Sequence, residues 1–337
     1  MKNTMKVVVP AGKGKVAVVE KPIPQLREDQ VLIKVEKCGI CGSDLHTMRG
    51  EIPCEVIGHE IVGTIADPGK FSNQFKVGDR VSACPPVGCG ECWYCKHGRD
   101  NDCPNIPWDD YDGFMSEYLA FYGRGVVKIA DSISDDVAAL IEPFSVGYHG
   151  AKLAEIEKSD RVLVLGGGII GASVLESVRY MGADVTAITE VSEDRLAVHR
   201  QLGRATAVVD SKQPDYLDTL KKVSGGSFDK IIDCTGIVEV INQVMPLLKP
   251  CGILVAVGVG PAKTPFDFWS FIMNEQVIKG SNAQTYKEFC EVEELFASGA
   301  IDVTPYAGLT FAMDDVQQAF DTALAGKGGL KIFVETK

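Results

Sequence analysis

Nowhere does this chain gather an apolar run approaching the roughly 18 residues that cross a bilayer, which argues against a membrane protein. Cationic surface is equally scarce. Thirty-four Lys and Arg stand against 46 Asp and Glu, a net charge of −12, and no basic run breaks that balance. Phosphate backbones need a cationic face, so no nucleic-acid partner is expected. A secretory core is missing too, because Val7-Val8-Val9 stops at Pro10 and a Gly/Lys-rich turn, and the expected location is the cytoplasm. No internal repeat or low-complexity tract shows. What is present is ordinary globular material: 45% hydrophobic and 24% charged over 337 residues, long enough for two domains.

Cysteine is the exception. Eleven occur, an odd number with eight before residue 104, in a chain without an export signal. That distribution favours metal ligation or burial over a disulfide framework. The stretch Cys38-Gly39-Ile40-Cys41-Gly42-Ser43-Asp44-Leu45-His46 packs two thiols, a hydroxyl, a carboxylate and an imidazole behind the β-branched run 31–35. A β-branched run reads as a strand, so these groups hang from a rigid element. Alone, Cys-x-x-Cys fits a redox pair, a metal site or two buried hydrophobes. His59-Glu60 adds an imidazole and a carboxylate, both zinc-ligand types. Further on, Cys89, Cys92, Cys95 and Cys103 follow C-x2-C-x2-C-x7-C in a polar loop carrying Glu91, Lys96, Arg99 and Asp100. Four thiolates at that spacing close around one tetrahedral zinc and leave no position for water, so this is read as a structural site. His97 is then surplus and is placed at the surface.

Up to about 149 the chain reads as short strands and turns, with candidates at 16–19, 31–35, 61–65 and 81–83. From about 150 strands alternate with helical stretches, the pattern of a doubly wound parallel sheet. Arg161-Val162-Leu163-Val164-Leu165 runs straight into Gly166-Gly167-Gly168-Ile169-Ile170-Gly171, and Glu190 follows at the end of the next strand. That is the setting a dinucleotide loop requires: Gly166 for the turn, Gly168 for approach of the pyrophosphate, Gly171 for close helix packing, and Glu190 for the ribose hydroxyls. A carboxylate there repels a 2′-phosphate, so NAD is expected over NADP. Arg195 is the nearby residue that could blur the preference, or a solvated helix position. The final strand candidate, 330–334, is expected to return to the first domain.

Together these features resemble the zinc-dependent medium-chain dehydrogenase/reductase superfamily over essentially the whole chain. The carrying motifs are residues 38–46, Gly58-His59-Glu60-x-x-Gly63, Gly78-Asp79-Arg80-Val81, the four-cysteine lobe, Glu142-Pro143-Phe144-Ser145-Val146 and the 166–171 loop. The resemblance is closest to the polyol (sorbitol-type) and threonine dehydrogenase branches, because Glu142 stands where liver-type enzymes carry a third cysteine ligand. It implies an α/β fold, a doubly wound Rossmann domain at 150–285 inserted into a β-rich GroES-like catalytic domain at 1–149 and 286–337, with the structural lobe near 88–104. It implies two zinc ions per chain, one structural and one catalytic, the latter on Cys41 and His59 with Glu60 and Glu142 sharing the remaining place. Ser43 and His46 match a proton relay, and NAD would lie on Gly166, Gly168, Ile169, Ile170, Gly171, Glu190 and Arg195. The implied reaction is hydride transfer between NAD and a secondary alcohol such as a polyol, sugar alcohol or cyclitol, by a homodimer or homotetramer.

Two readings compete with this one: an L-threonine 3-dehydrogenase-like enzyme, and a non-catalytic dinucleotide-binding protein with structural zinc only. Only 12 residues separate His46 from His59, fewer than expected for polyol dehydrogenases, which predicts a more open pocket. Gly308-Leu309-Thr310-Phe311 stands where relatives carry Thr-His-Arg. Trp108, Phe114 and Phe144 are candidate pocket walls. Asp44 orients a ligand or caps a turn, and Cys38 is read as a packed thiol. Cys54, Cys84, Cys234, Cys251 and Cys290 read as small hydrophobes, His149 as a residue bordering the cofactor cleft, and His199 as a surface residue.

Overall fold

The computed structural model describes residues 3–107, 113–260 and 266–336. It divides into two units, one of residues 1–142 with 285–337 and one of residues 143–284.

In the first unit the long strand Gln30–Gly39 organises a seven-stranded sheet. One edge pairs antiparallel with Glu60–Asp67. The other is shared, with Tyr118–Tyr122 beside its first half and Lys331–Glu335 beside its last residues. The C-terminal tail thus returns to this sheet, and Gly39 lies opposite Glu60 on one side and Phe333 on the other. Val31, Ile33, Val35, Ile61, Ile65, Phe121 and Val334 form one buried core, the β-branched pattern placing alternate side chains on one face.

Several strands escape the sequence reading. Thr4–Gly12 contains Pro10, yet it pairs with Lys15–Pro22 as a separate two-stranded ribbon whose register shifts between Pro10 and Gly12. A proline is tolerated at such an irregularity because no ladder amide is needed there. Tyr118–Tyr122, Val126–Lys128 and Ala307–Ala312 are also strands; the last pairs along only one edge and is largely exposed, so it carries little hydrophobic pattern.

The second unit holds a six-stranded parallel sheet in the order Ala207–Asp210, Val185–Glu190, Arg161–Leu165, Phe228–Asp233, Leu248–Ala256, Val277–Gly280. Strand order reverses beside Arg161–Leu165, the switch point at which doubly wound sheets bind ligands. The apolar run of that strand is explained by burial on both faces. Val162 and Val164 pack into one core, Leu163 and Leu165 into the other. Among the described residues no helix is long and apolar enough to cross a membrane.

Candidate active site

Cys41 is the N-cap of helix Gly42–Met48, directly after the central strand of the first unit. Asp44, three residues on, accepts the Cys41 N–H on Oδ2 at 2.8 Å and the Gly58 N–H on Oδ1 at 2.8 Å. The same Oδ1 lies 3.8 Å from His59 Nδ1. One buried carboxylate therefore caps the helix turn at Cys41 and ties it to the segment that carries His59. Gly58 has φ +83°, and a Cβ there would overlap the Cys38 sulfur. Cys38 is fully buried, and burial raises its thiol well above the usual range, so it packs rather than ligates.

Ligand atoms of Cys41, His59 and Glu60 lie within 4.8 Å of one another. Glu142 stands outside that triad, in the first turn of helix Ile141–Leu153, but its charge reaches the site. Burial lowers the His59 pKa, while Cys41, Asp44 and Glu142 together raise it well above the ordinary value. An imidazole surrounded by that much negative charge marks a place that favours a cation. The Glu60 carboxylate is fully buried, so its charge needs a cation beside it.

Sequence reasoning missed the partner of Glu60. Lys331, from the returning tail, donates to Glu60 Oε1 and lies against Oε2, and both side chains are essentially inaccessible to solvent. Gly39 makes the pairing possible, since a Cβ at that position would overlap both Glu60 Oε2 and Lys331 Cε. A lysine near the start of the strand candidate 330–334 gives no sign of this in the sequence.

Ser43 is exposed and His46 half-buried on the same short helix. Nδ1 of His46 lies 2.5 Å from Glu51 Oε2 and within 3.1 Å of Arg49 Nη2. No hydrogen bond joins Ser43 to His46 among the described residues.

The four cysteines of the lobe also converge, their sulfurs all within 4.8 Å. Cys92 Sγ lies 3.5 Å from Cys95 Sγ and 3.7 Å from Cys103 Sγ, and Cys89 Sγ lies 4.0 Å from Cys95 Sγ. Zn–S bonds of about 2.3 Å in a tetrahedron place sulfurs about 3.8 Å apart, so this set fits one zinc. His97 is at the surface, stacked 4.2 Å from Trp93.

In the second unit Gly166 takes φ +92° and the helix Ile169–Met181 starts at its N-cap Gly168. A Cβ on Gly171 would collide with the Gly166 carbonyl, so the third glycine is required for packing. Ile169 and Ile170 are half-buried in the first turn. Glu190 is buried and already engaged: Oε2 accepts the Gly167 N–H at 2.9 Å, while Oε1 accepts those of Val191 at 2.7 Å and Ser192 at 2.9 Å. Arg195 Nη1 lies 3.6 Å from Glu190 Oε2, and its Nε is buried without a partner.

Several expectations need correction. His199 is not at the surface but 2% exposed, because it shares the inward face of helix Glu193–Leu202 with Leu196. Cys54 and Cys251 are exposed rather than packed, and Cys234 and Cys290 are half-buried; only Cys84 is fully enclosed. Phe114 and Phe144 are buried, Phe114 meeting Phe121 edge-on at 5.6 Å. Trp108 lies outside the described residues. His149 is half-buried on helix Ile141–Leu153.

Comparison with known proteins fits these sites. Residues 27–131 match the alcohol dehydrogenase GroES-like domain and residues 170–298 match the zinc-binding dehydrogenase domain. The chain is 32% identical over 340 residues to the zinc-type alcohol dehydrogenase-like protein YdjJ of Escherichia coli, covering 97% of this chain and 96% of that protein. The chain belongs to the zinc-dependent medium-chain dehydrogenase/reductase superfamily. Within that superfamily it is similar to L-threonine 3-dehydrogenase of Coxiella burnetii, 32% identical over 91% of this chain and 92% of the relative. It also resembles the crystal structure of L-idonate 5-dehydrogenase from Escherichia coli, with a TM-score of 0.89, 27% identity and coverage of 99% of both chains. The fold is accordingly a GroES-like domain with a Rossmann-like zinc-binding dehydrogenase domain, and the family is one of oxidoreductases.

Proposed function

We propose that this protein is a zinc- and NAD-dependent dehydrogenase that moves a hydride between NAD and a secondary alcohol, most favourably a polyol, sugar alcohol or cyclitol. The observation that carries the reading is the convergence of Cys41, His59 and Glu60 in a negatively charged setting. Cys41 and His59 would hold a catalytic zinc, with Glu60 and Glu142 supplying the carboxylate, and the four-cysteine lobe a structural one. Bound zinc supplies the Lewis acidity that makes an alcohol proton easy to remove. The chain's own part is to take that proton. Ser43 Oγ would take it and His46 would deliver it to solvent by way of the cofactor ribose; Nδ1 of His46 is held by Glu51, which leaves Nε2 for that transfer.

A polar substrate follows from Glu142. The branches of the resemblance with glutamate there mostly handle polar substrates, and a site built to hydrogen-bond hydroxyls rejects analogues without them strongly. The test is a screen of acyclic polyols, cyclitols, sugars and L-threonine beside ethanol and propan-2-ol, following reduction of NAD and of NADP. Polyols or cyclitols should turn over and simple alcohols should not. Turnover confined to L-threonine promotes the second reading, which the Coxiella relative supports, and turnover of simple alcohols alone overturns the class. NAD should be preferred, and Glu190→Gln, which removes the charge while keeping an acceptor for Gly167, should narrow the preference roughly tenfold or more. Equal use of NADP by the parent chain removes that role from Glu190.

We further propose that the partner is a second copy, in the cytoplasm, where the thiolates of both sites stay reduced. Strand Val277–Gly280 is the open edge of its sheet, with Val277 and Ile278 exposed. The helix Phe268–Met273 that precedes it exposes Phe268, Trp269, Ile272 and Met273. An open edge flanked by so many exposed apolar side chains pairs readily with itself. Light scattering should report a dimer or tetramer that Trp269→Glu dissociates; a monomeric parent chain refutes the proposal.

A further inference from the structure

Three consecutive glycines, 166–168, form the turn between the first strand of the second unit and its helix. Glycine gives a backbone the greatest conformational freedom, so nothing intrinsic to this loop fixes its peptide planes. Two buried side chains do so from outside. The Gly167 N–H is held by Glu190 Oε2, and the Gly167 carbonyl accepts a hydrogen bond from His199 Nε2 at 2.8 Å. The fit is close on both sides, because a Cβ on Gly167 would stand 3.1 Å from Glu190 Cβ and from His199 Cδ2 and Nε2.

The bond to His199 governs more than one oxygen. In a trans peptide the carbonyl of Gly167 and the N–H of Gly168 belong to one plane and point in opposite directions. Holding the carbonyl toward helix Glu193–Leu202 therefore turns the Gly168 N–H away from it. Gly168 caps a 13-residue helix whose first amides lack intrahelical partners and attract anions. Were the plane to flip, a carbonyl oxygen would replace an N–H beside any anion bound there. The tautomer is set by the same contact: the carbonyl only accepts, so the Nε2 nitrogen carries the proton.

We propose that His199 is a positioning residue for the dinucleotide pyrophosphate, clamping the Gly167–Gly168 peptide so that the glycine loop presents its amides to the ligand. The inference rests on the reading above that this unit takes a dinucleotide. His199→Phe keeps the ring volume and loses the donor, whereas His199→Gln keeps a donor at similar reach. Fluorescence titration with NADH, ADP-ribose and adenosine separates the pyrophosphate from the adenosine part. The Phe variant should bind NADH and ADP-ribose roughly tenfold more weakly, the scale of one lost hydrogen bond, with adenosine unchanged. KM for the dinucleotide should rise in step while kcat holds, and the Gln variant should recover most of the affinity. Unchanged binding of NADH and ADP-ribose by the Phe variant overturns the clamp, as does an equal loss for adenosine or a Gln variant as weak as Phe. Should the Phe variant not fold, His199→Ala titrated with added imidazole decides: restored NADH affinity supports the clamp and absence of rescue overturns it. A parent chain that binds neither NADH nor NADPH defeats the dinucleotide reading itself, a result distinct from any of these.

Discussion

Cys92→Ser should lower the melting temperature by about 10 °C or more while Cys41→Ser leaves melting nearly unchanged and abolishes turnover. The two cysteines sit in sites of opposite design. Around Cys92, four sulfurs converge in a lobe whose other side chains are mostly solvent-facing, Trp93 being 59% exposed, so a bound zinc would stand where a hydrophobic core otherwise does. Removing one ligand withdraws folding energy. Cys41 lies instead beside a well-packed sheet that holds its shape without it. Acid gives a second view of the lobe. Backbone N–H groups of Glu91 and Cys92 draw the Cys89 thiol from 9.0 down to about 6, although burial pushes Cys95 up to about 12. A lowered pKa contributes stability that is complete above the unfolded value and lost as pH falls through the folded one. The Cys89 share should fade as pH falls from about 9 to about 6. Calorimetry, activity and elemental analysis check all of this. If Cys41→Ser unfolds the protein and Cys92→Ser does not, the two sites have been interchanged; a parent chain with one zinc favours a binding protein without catalysis.

The four-cysteine lobe and the glycine loop were legible because their chemistry is local. Four cysteines within 15 residues, or a glycine loop between a strand and a helix, carry their geometry in their spacing. The doubly wound sheet was legible for a similar reason: its central strand is apolar on both faces, which only a covered parallel sheet requires. What the sequence concealed was any contact made by register or helix facing. His199 follows Val198 and precedes Arg200, and one residue's rotation about the helix separates a solvated imidazole from one pressed on Gly167. Glu190 was correctly placed at the end of the second strand, but its three backbone N–H partners depend on how the loop folds back. Polar residues that end up buried look like polar residues that do not.

Lys331→Met should be the most damaging single change outside the metal ligands. Lys331 and Glu60 are 1% and 0% exposed, so neither charge has water to fall back on. Burial lowers the Lys331 pKa, but Glu60, Cys41 and Glu142 outweigh it and raise the value above 10.5, so the ammonium is charged throughout the neutral range. A raised pKa contributes stability that is present below the unfolded value and lost only as pH climbs through the folded one, which confines the effect of alkali to the region above 10.5. Truncating one partner of a buried pair strands the other, at a cost of about 3–5 kcal/mol. Methionine fills the volume but leaves the Glu60 carboxylate without its counter-charge. Two further variants isolate the cause. Lys331→Met combined with Glu60→Gln should recover much of the lost stability, since the stranded charge is gone, and a double-mutant cycle measures the coupling. Lys331→Arg keeps the charge, but the ammonium stem passes over Gly39 with no space to spare, so a guanidinium fork should fit poorly and stability should fall between parent and methionine variant. Zinc gives the decisive contrast. With its competing cation removed, Glu60 should favour a metal more strongly, so the gap between chelator-treated and zinc-loaded melting temperatures should widen in Lys331→Met. A methionine variant that melts with the parent, with and without chelator, would show that the pair contributes nothing to stability and that Lys331 does not compete with a metal for Glu60.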